Sequence, residues 1–207
     1  MHKVPRKTNW PYCDSCSPAA ISGERDACGV GFIAHLNRDP NNWVLKQALR
    51  GLSCMEHRGG CGGDSDSGDG AGILCEIPWS FLKDCWDAAK NSREGSTGIG
   101  MLFMPQQKDL RDQAKSFCEE EAKSLGLQSL GWRDVPVNQD VLGPLALANS
   151  PFVVQWLISG NEQGKALEAL LFRLRRKIGN RTKHEWKENS LDLYICSLSC
   201  RTIVYKG

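Results

Sequence analysis

Hydrophobic and polar positions change period several times along the 207-residue chain. Cys28-Gly29-Val30-Gly31-Phe32-Ile33-Ala34 follows a charged turn at Glu24-Arg25-Asp26 and predicts a cysteine-led strand ending near His35. Asp39 and Pro40 offer an N-cap and a first-turn proline for a helix. In that helix Leu45, Ala48, Leu49, Leu52 and Met55 recur at three- and four-residue steps, a stripe expected to face a core. Gly51 weakens it by about 1 kcal/mol relative to alanine, so packing is expected to hold it. Residues 57–70 are too rich in glycine for helix or strand and predict a shaped loop. Ala71 to Ile77 reads as a buried strand, Pro78 opens a short helix reaching Ala89, and Gly98 to Met104 reads as another strand.

The second half alternates in the same way. Lys108 to Leu125 predicts a helix anchored by Leu110, Ala114, Phe117 and Leu125, with Glu119, Glu120 and Glu121 outside and Gly126 closing it. A short strand is expected near Gly131 to Val137, and another over Phe152 to Ser159. Leu167, Leu170, Leu171, Leu174 and Ile178 then form one face of a helix whose other face carries Arg173, Arg175, Arg176 and Lys177. Leu191 to Leu198 and Arg201 to Tyr205 finish as two strands around a turn. This order has neither a doubly wound pattern nor an internal repeat, and the alternation is compatible with an α+β fold.

Composition narrows the class. A net charge of +2 and 41% hydrophobic residues suit one globular domain with a real core. No apolar run approaches the roughly 20 residues that cross a bilayer, and the N-terminus lacks a secretory apolar stretch. The ten cysteines are scattered through helix-like and strand-like segments, which fits a reducing compartment better than a disulfide framework. The basic cluster Arg175-Arg176-Lys177 has no wider surplus behind it, so nucleic-acid binding is not expected. Residues 1–27 lack periodicity, carry Pro5, Pro11 and Pro18, and begin with His2, Lys3, Arg6 and Lys7. They read first as a removable leader; a transit sequence would be richer in serine and arginine.

The strongest chemical candidate is Cys28. A thiolate is the most nucleophilic protein side chain, and flanking glycine leaves room for a substrate to approach. If the Ala27–Cys28 bond is cut, the new α-amine has a pKa of about 8 and can exchange protons with the thiol and with departing ammonia. The opposing reading is an inert buried cysteine, since free cysteines behave as small hydrophobes.

Three stretches decide between these readings: Cys28-Gly29-Val30-Gly31-Phe32-Ile33-Ala34, Met55-Glu56-His57-Arg58-Gly59-Gly60 and Ser67-Gly68-Asp69-Gly70-Ala71-Gly72-Ile73. Together with Leu193 to Ser199 and Arg201 to Gly207, they resemble the start of the glutamate synthase large-chain family. The stretch from Cys54 to Cys61 resembles the ferredoxin-dependent type more than the pyridine-nucleotide type. The resemblance implies that Cys28 is the first residue of the mature enzyme, with 1–27 removed and 28–207 forming the N-terminal part of a class II glutamine amidotransferase domain. It implies an N-terminal nucleophile (Ntn) hydrolase fold, four layers in αββα order. Cys28 would attack the side-chain amide of L-glutamine, pass through a thioester and release ammonia and glutamate. In the full enzyme that ammonia joins 2-oxoglutarate at a site with FMN and an iron–sulfur cluster, with ferredoxin as electron donor; no cofactor is expected within this chain. The compartment implied is the plastid stroma or the cytoplasm.

Arg58 lies in a His-Arg-Gly element shared with other class II amidotransferases. It either helps hold a substrate carboxylate through paired hydrogen bonds or ties the glycine loop to the sheet. The chain stops at Gly207, before the family's His-Ser-Arg-Phe-type and Asn-Gly segments, which supply a carboxylate clamp and the oxyanion hole. One oxyanion donor is worth about 3 kcal/mol of transition-state stabilisation. The expectation is thus a fold incomplete at its C-terminus and an isolated piece without activity. Two alternatives stay open: an inactive binding or regulatory remnant, and another class II amidotransferase such as the one that begins purine synthesis.

Other clusters read more plainly. Asp64, Asp66 and Asp69 invite a calcium reading, but the register puts Asp69 where a calcium loop needs glycine and Cys75 at its twelfth position. No lysine-serine or lysine-threonine pair follows the glycines, as a phosphate cradle requires. Cys13 and Cys16 make half of a zinc site without a second pair. His2, His35 and His184 have no partner motif.

Overall fold

The computed structural model describes residues 29–37, 41–55, 64, 66–68, 70–185 and 193–206, and of His184 and Glu185 the backbone only. Helix α1 spans Asn42–Cys54, strand β1 Gly72–Glu76, helix α2 Trp79–Cys85 and strand β2 Thr97–Met104. Helix α3 (Lys108–Ser124), strand β3 (Gln128–Asp134), the short helix α4 (Pro144–Ala148) and strand β4 (Phe152–Ser159) follow. Helix α5 (Gly164–Glu185) and strands β5 (Tyr194–Ser199) and β6 (Thr202–Lys206) complete the order. One sheet has the order β3-β4-β2-β5 and a second pairs β1 with β6; every pairing is antiparallel.

The larger sheet is buried on both faces because its strands carry apolar residues at both phases of the pleat. Leu102, Met104, Val154, Trp156, Ile158, Ile195 and Leu198 meet Ala114, Phe117 and Cys118 of α3 and Leu167, Leu171, Leu174 and Ile178 of α5. On the opposite face Ile99, Met101 and Leu157 meet Ile203 of β6, Ile77, and Trp79 and Leu82 of α2. The described layers therefore run helices, sheet, sheet, an α+β arrangement.

Glycine lets two of these layers close up. A Cβ at Gly98 would lie 2.5 Å from Leu171 Cδ1, so α5 seats against β2 only because that position has no side chain. Gly126 closes α3 at φ 73°, with its N–H donating to Lys123 O and that of Leu127 to Ala122 O, the paired bonds of a Schellman end.

Several expectations need correcting. Residues 29–35 form no strand: Val30 and Phe32 are each 94% exposed. A strand is made by its pairing partner, and neither described sheet offers one to this segment. The N-cap of α1 is Asn41, whose side chain accepts from Val44 N–H at 3.2 Å; Asp39 and Pro40 lie outside the described residues. The stripe on α1 does not face a core. No residue of the helix is buried, and Leu45 and Leu49 are exposed, because its main described contact is with β1, which does not cover the stripe. Gly51 is likewise open rather than held by packing. β1 is half-buried, with Ile73 and Cys75 turned inward and Leu74 exposed, since its two-stranded sheet packs on one face only.

Of the three α3 glutamates expected outside, only Glu120 is exposed. Glu121 is buried between Lys177 and Arg181 of α5, and Glu119 accepts from Trp132 Nε1 at 2.7 Å and Ser129 Oγ at 3.0 Å. Lys177 is accordingly an ion-pair partner, 2.8 Å from Glu121, rather than part of a purely solvated face. β3 starts earlier than expected because Gly131, at φ 148°, sits beside an irregularity of the ladder rather than at its start. Finally, β5 and β6 do not pair as neighbours: β5 joins β2 and β6 joins β1. Their corner carries the chain from one sheet to the other.

Candidate active site

Cys28 and Arg58 lie outside the described residues, as do residues 1–27, Cys13, Cys16 and Asp69. The structure does describe the end of the glycine-rich loop that follows Arg58. Asp64 Oδ1 accepts from Ser67 N–H at 2.8 Å and from Asp66 N–H at 3.3 Å. Asp64 Oδ2 accepts from the Ser67 hydroxyl at 2.6 Å and, across 81 positions of sequence, from Leu145 N–H at 2.9 Å. Ser67 Oγ in turn accepts from Ala146 N–H at 2.9 Å.

Leu145 and Ala146 are the second and third residues of α4, and their amides have no partner within the helix. Pro144 has no N–H to satisfy, and Gly143, the N-cap, has no side chain to cap with. The cap comes instead from the loop. Gly143 is glycine for a steric reason: a Cβ there would lie 2.6 Å from both Ser67 N and Ser67 Oγ. The Ser67 hydroxyl, then the Leu145 amide and the Ser67 amide, hold the Asp64 carboxyl down at about 2, so it is ionised at any physiological pH. Beyond the clasp, Gly70 takes φ 85°, a conformation open to glycine, and the chain enters β1.

A second polar link joins the two sheets. Gln155, fully buried on β4, accepts from Arg133 Nη1 of β3 at 2.9 Å and donates to Tyr205 Oη of β6 at 3.3 Å. At the β5–β6 corner, Glu168 of α5 accepts from Cys200 N–H at 2.9 Å, Ser199 Oγ at 3.1 Å and Cys200 Sγ at 3.1 Å. Ser199 Oγ accepts from the N–H groups of Arg201 and Thr202, tightening the turn.

The described thiols that titrate abnormally are all suppressed. Burial pushes the Cys196 and Cys200 thiols up to about 11, Glu168 adding to the effect at Cys200. Cys118 is driven higher still by burial, and Cys75 is raised for the same reason. None of these is an activated nucleophile. Among the described residues, no three His, Cys, Asp or Glu side chains are grouped so that they could hold a metal ion.

Sequence reasoning missed the Asp64–Ser67 clasp, the Gln155 link and the Glu168 corner. A signal for the first was present: Asp-x-x-Ser has the spacing of a local side-chain turn, and Gly143-Pro144 starts a helix with no cap of its own. That the two belong together could not be read from either.

Three relatives place the chain. It is 47% identical over 189 residues to ferredoxin-dependent glutamate synthase 2 of Synechocystis sp., covering 89% of this chain and 12% of the relative. It is 44% identical over 210 residues to the ferredoxin-dependent glutamate synthase of Pyropia yezoensis, covering 100% of this chain and 14% of the relative. To the chloroplastic/mitochondrial ferredoxin-dependent glutamate synthase 1 of Arabidopsis thaliana it is 43% identical over 193 residues, covering 90% and 12%. The chain thus spans only a small part of the length of the curated relatives it matches. The family described as glutamine amidotransferases class-II matches residues 28–207, and this chain belongs to that family.

Proposed function

We propose that residues 28–207 form the N-terminal part of the glutaminase unit of a ferredoxin-dependent glutamate synthase, with Cys28 as nucleophile and residues 1–27 as a leader removed to expose it. The observation that carries this reading is that the match to the class-II amidotransferases opens on Cys28. Similarity to three ferredoxin-dependent synthases supports the choice among class II enzymes. The helices–sheet–sheet order supports an Ntn fold, and the contact of α1 with β1 is in keeping with a fourth layer.

The chemistry follows from a thiol and an amine on one residue. The Cys28 sulfur attacks the side-chain carbonyl carbon of L-glutamine, and its proton passes to the α-amine. The resulting ammonium donates the proton to the departing nitrogen as the carbon–nitrogen bond breaks, leaving a thioester and ammonia. Water, deprotonated by the same amine, then hydrolyses the thioester to glutamate and restores the thiol. Arg58 holds the substrate carboxylate by paired charged hydrogen bonds. In the longer protein the ammonia is delivered to 2-oxoglutarate, with electrons from ferredoxin. Among the described residues no helix is long and apolar enough to cross a membrane. The plastid stroma or the cytoplasm is the proposed location, in keeping with chloroplastic relatives.

The test is covalent labelling with a diazoketone analogue of glutamine. The full natural gene product should be modified at Cys28 once residues 1–27 are gone, and Cys28→Ser should abolish both labelling and glutamine-driven ammonia release. Full activity with Met1 to Ala27 retained, or with serine at position 28, overturns the reading. Arg58→Lys should raise the KM for glutamine if the guanidinium grips the carboxylate; a loop tie would alter stability alone.

A further inference from the structure

We infer that one end of the larger sheet holds a binding site for a small oxyanion, the carboxylate or phosphate group of a small molecule. Thr97 opens β2 opposite Ser159, which closes β4, and β3 begins alongside. Between these strand ends and the turn that precedes β2 lies a hollow of about 330 Å³, within the range of small-ligand clefts. Asn91, Arg93, Ser96 and Ser159 line it together with the apolar Ala88 and Leu130.

The turn is tied down on two sides. Arg93 N–H donates to Thr97 Oγ1 at 3.2 Å, Ser96 N–H donates to Arg93 O at 3.1 Å, and Gly164 N–H at the start of α5 donates to Gly95 O at 2.8 Å. A hollow already shaped in this way spares a ligand much of the ordering cost of binding. Its chemistry is one-sided. Among the described residues, no hydrogen bond or ion pair engages the Arg93 guanidinium, the Asn91 amide or the Ser159 hydroxyl. No Asp or Glu lines the hollow, and Asp87 is spent on Lys90 at 2.6 Å. In the same turn the Ser92 hydroxyl is buried without a partner among the described residues. One cation and several unspent donors, with no carboxylate to oppose them, suit an oxyanion, and the planar fork of a guanidinium matches both carboxylate and phosphate. The groove along α3 has the opposite character, since Asp109, Asp112 and Glu120 line it. Arg93 is exposed, so its charged hydrogen bonds are screened and a Kd of millimolar order is expected.

Protection of Arg93 from phenylglyoxal, followed by peptide mass spectrometry on the full natural gene product, tests this. Inorganic phosphate or acetate, at a concentration about four times its Kd, should slow modification of Arg93 about fivefold while exposed Arg176 reacts at an unchanged rate. Protection by phosphate alone assigns the site to a phosphate-bearing ligand, and protection by acetate alone to a carboxylate. In the variant carrying Asn91→Ala and Ser159→Ala the protection should fall below about twofold, because the donors beside the guanidinium are gone. Equal slowing by chloride at matched ionic strength, equal slowing at Arg176, or full protection in the double variant overturns the inference, as does no protection by either anion.

Discussion

A carboxylate's surroundings decide what it does, and two α3 glutamates that look solvent-facing in sequence, Glu119 and Glu121, are ligands of the fold. Glu121 is the clearest. Burial alone would raise its carboxyl, but the charged hydrogen bonds from Lys177 and Arg181 outweigh that and hold it below the usual range. Both cations remain partly exposed, so removing Glu121 strands solvated rather than buried charge. Glu121→Ala should cost about 2 kcal/mol by urea denaturation at pH 7, short of the loss seen when a fully buried pair is broken. Because the folded pKa is depressed, this stabilisation is complete above the ordinary glutamate value. It fades as pH falls below about 4.5 and through the lowered pKa, so the cost of the substitution should shrink in acid. A cost that grows on acidification would contradict the pairing. Asp64 obeys the same sign at a lower window: its hydrogen bonds persist until pH approaches about 2.

At the scale of elements, two glycines of similar appearance in sequence should respond with opposite signs. Gly51 sits inside α1 and is exposed, and a Cβ added there would meet nothing within 4 Å, so Gly51→Ala should stabilise by up to about 1 kcal/mol through helix propensity. Gly98 lies under Leu171, a fully buried side chain, so Gly98→Ala should destabilise by about 1–3 kcal/mol through overpacking. Thermal melts of the two variants decide it; a loss at Gly51 or a gain at Gly98 would mean the α1 surface or the β2–α5 contact is misplaced. Element identity was largely legible: β4, α3 and α5 follow from alternation and from the spacing of Leu167, Leu171, Leu174 and Ile178. The failures share a cause. The segment after Cys28 has strand-like composition without a described partner, and α1 has an apolar stripe without a covering layer, because periodicity specifies a face and not what meets it.

Across the whole molecule, burial sorts the thiols. Native labelling with a small maleimide at pH 8 should mark exposed Cys85 quickly, whereas buried Cys118 and Cys200 should react only as the protein unfolds in denaturant. Native reaction at Cys118 would contradict the packing of α3 on the larger sheet. The candidate site divides along the same line. Cys28 and Arg58 could be proposed from sequence, because a cysteine beside glycine and an arginine in a glycine loop are statements about side chains; both lie outside the described residues. Asp64 read only as one of three acids in a loop, and no helix was expected at Gly143, although the Asp64–Ser67 turn and the start of α4 form one contact. By itself the sequence determined most of the stretches that are helix or strand, which face of each is apolar, and which cysteine to propose as the nucleophile. Only the tertiary structure decided that β5 and β6 part into different sheets, that Glu121 is buried, and that Asp64 and Ser67 cap the start of α4. Local patterns are set by covalent neighbours, whereas these pairings depend on distances between residues that the chain brings together only when it folds.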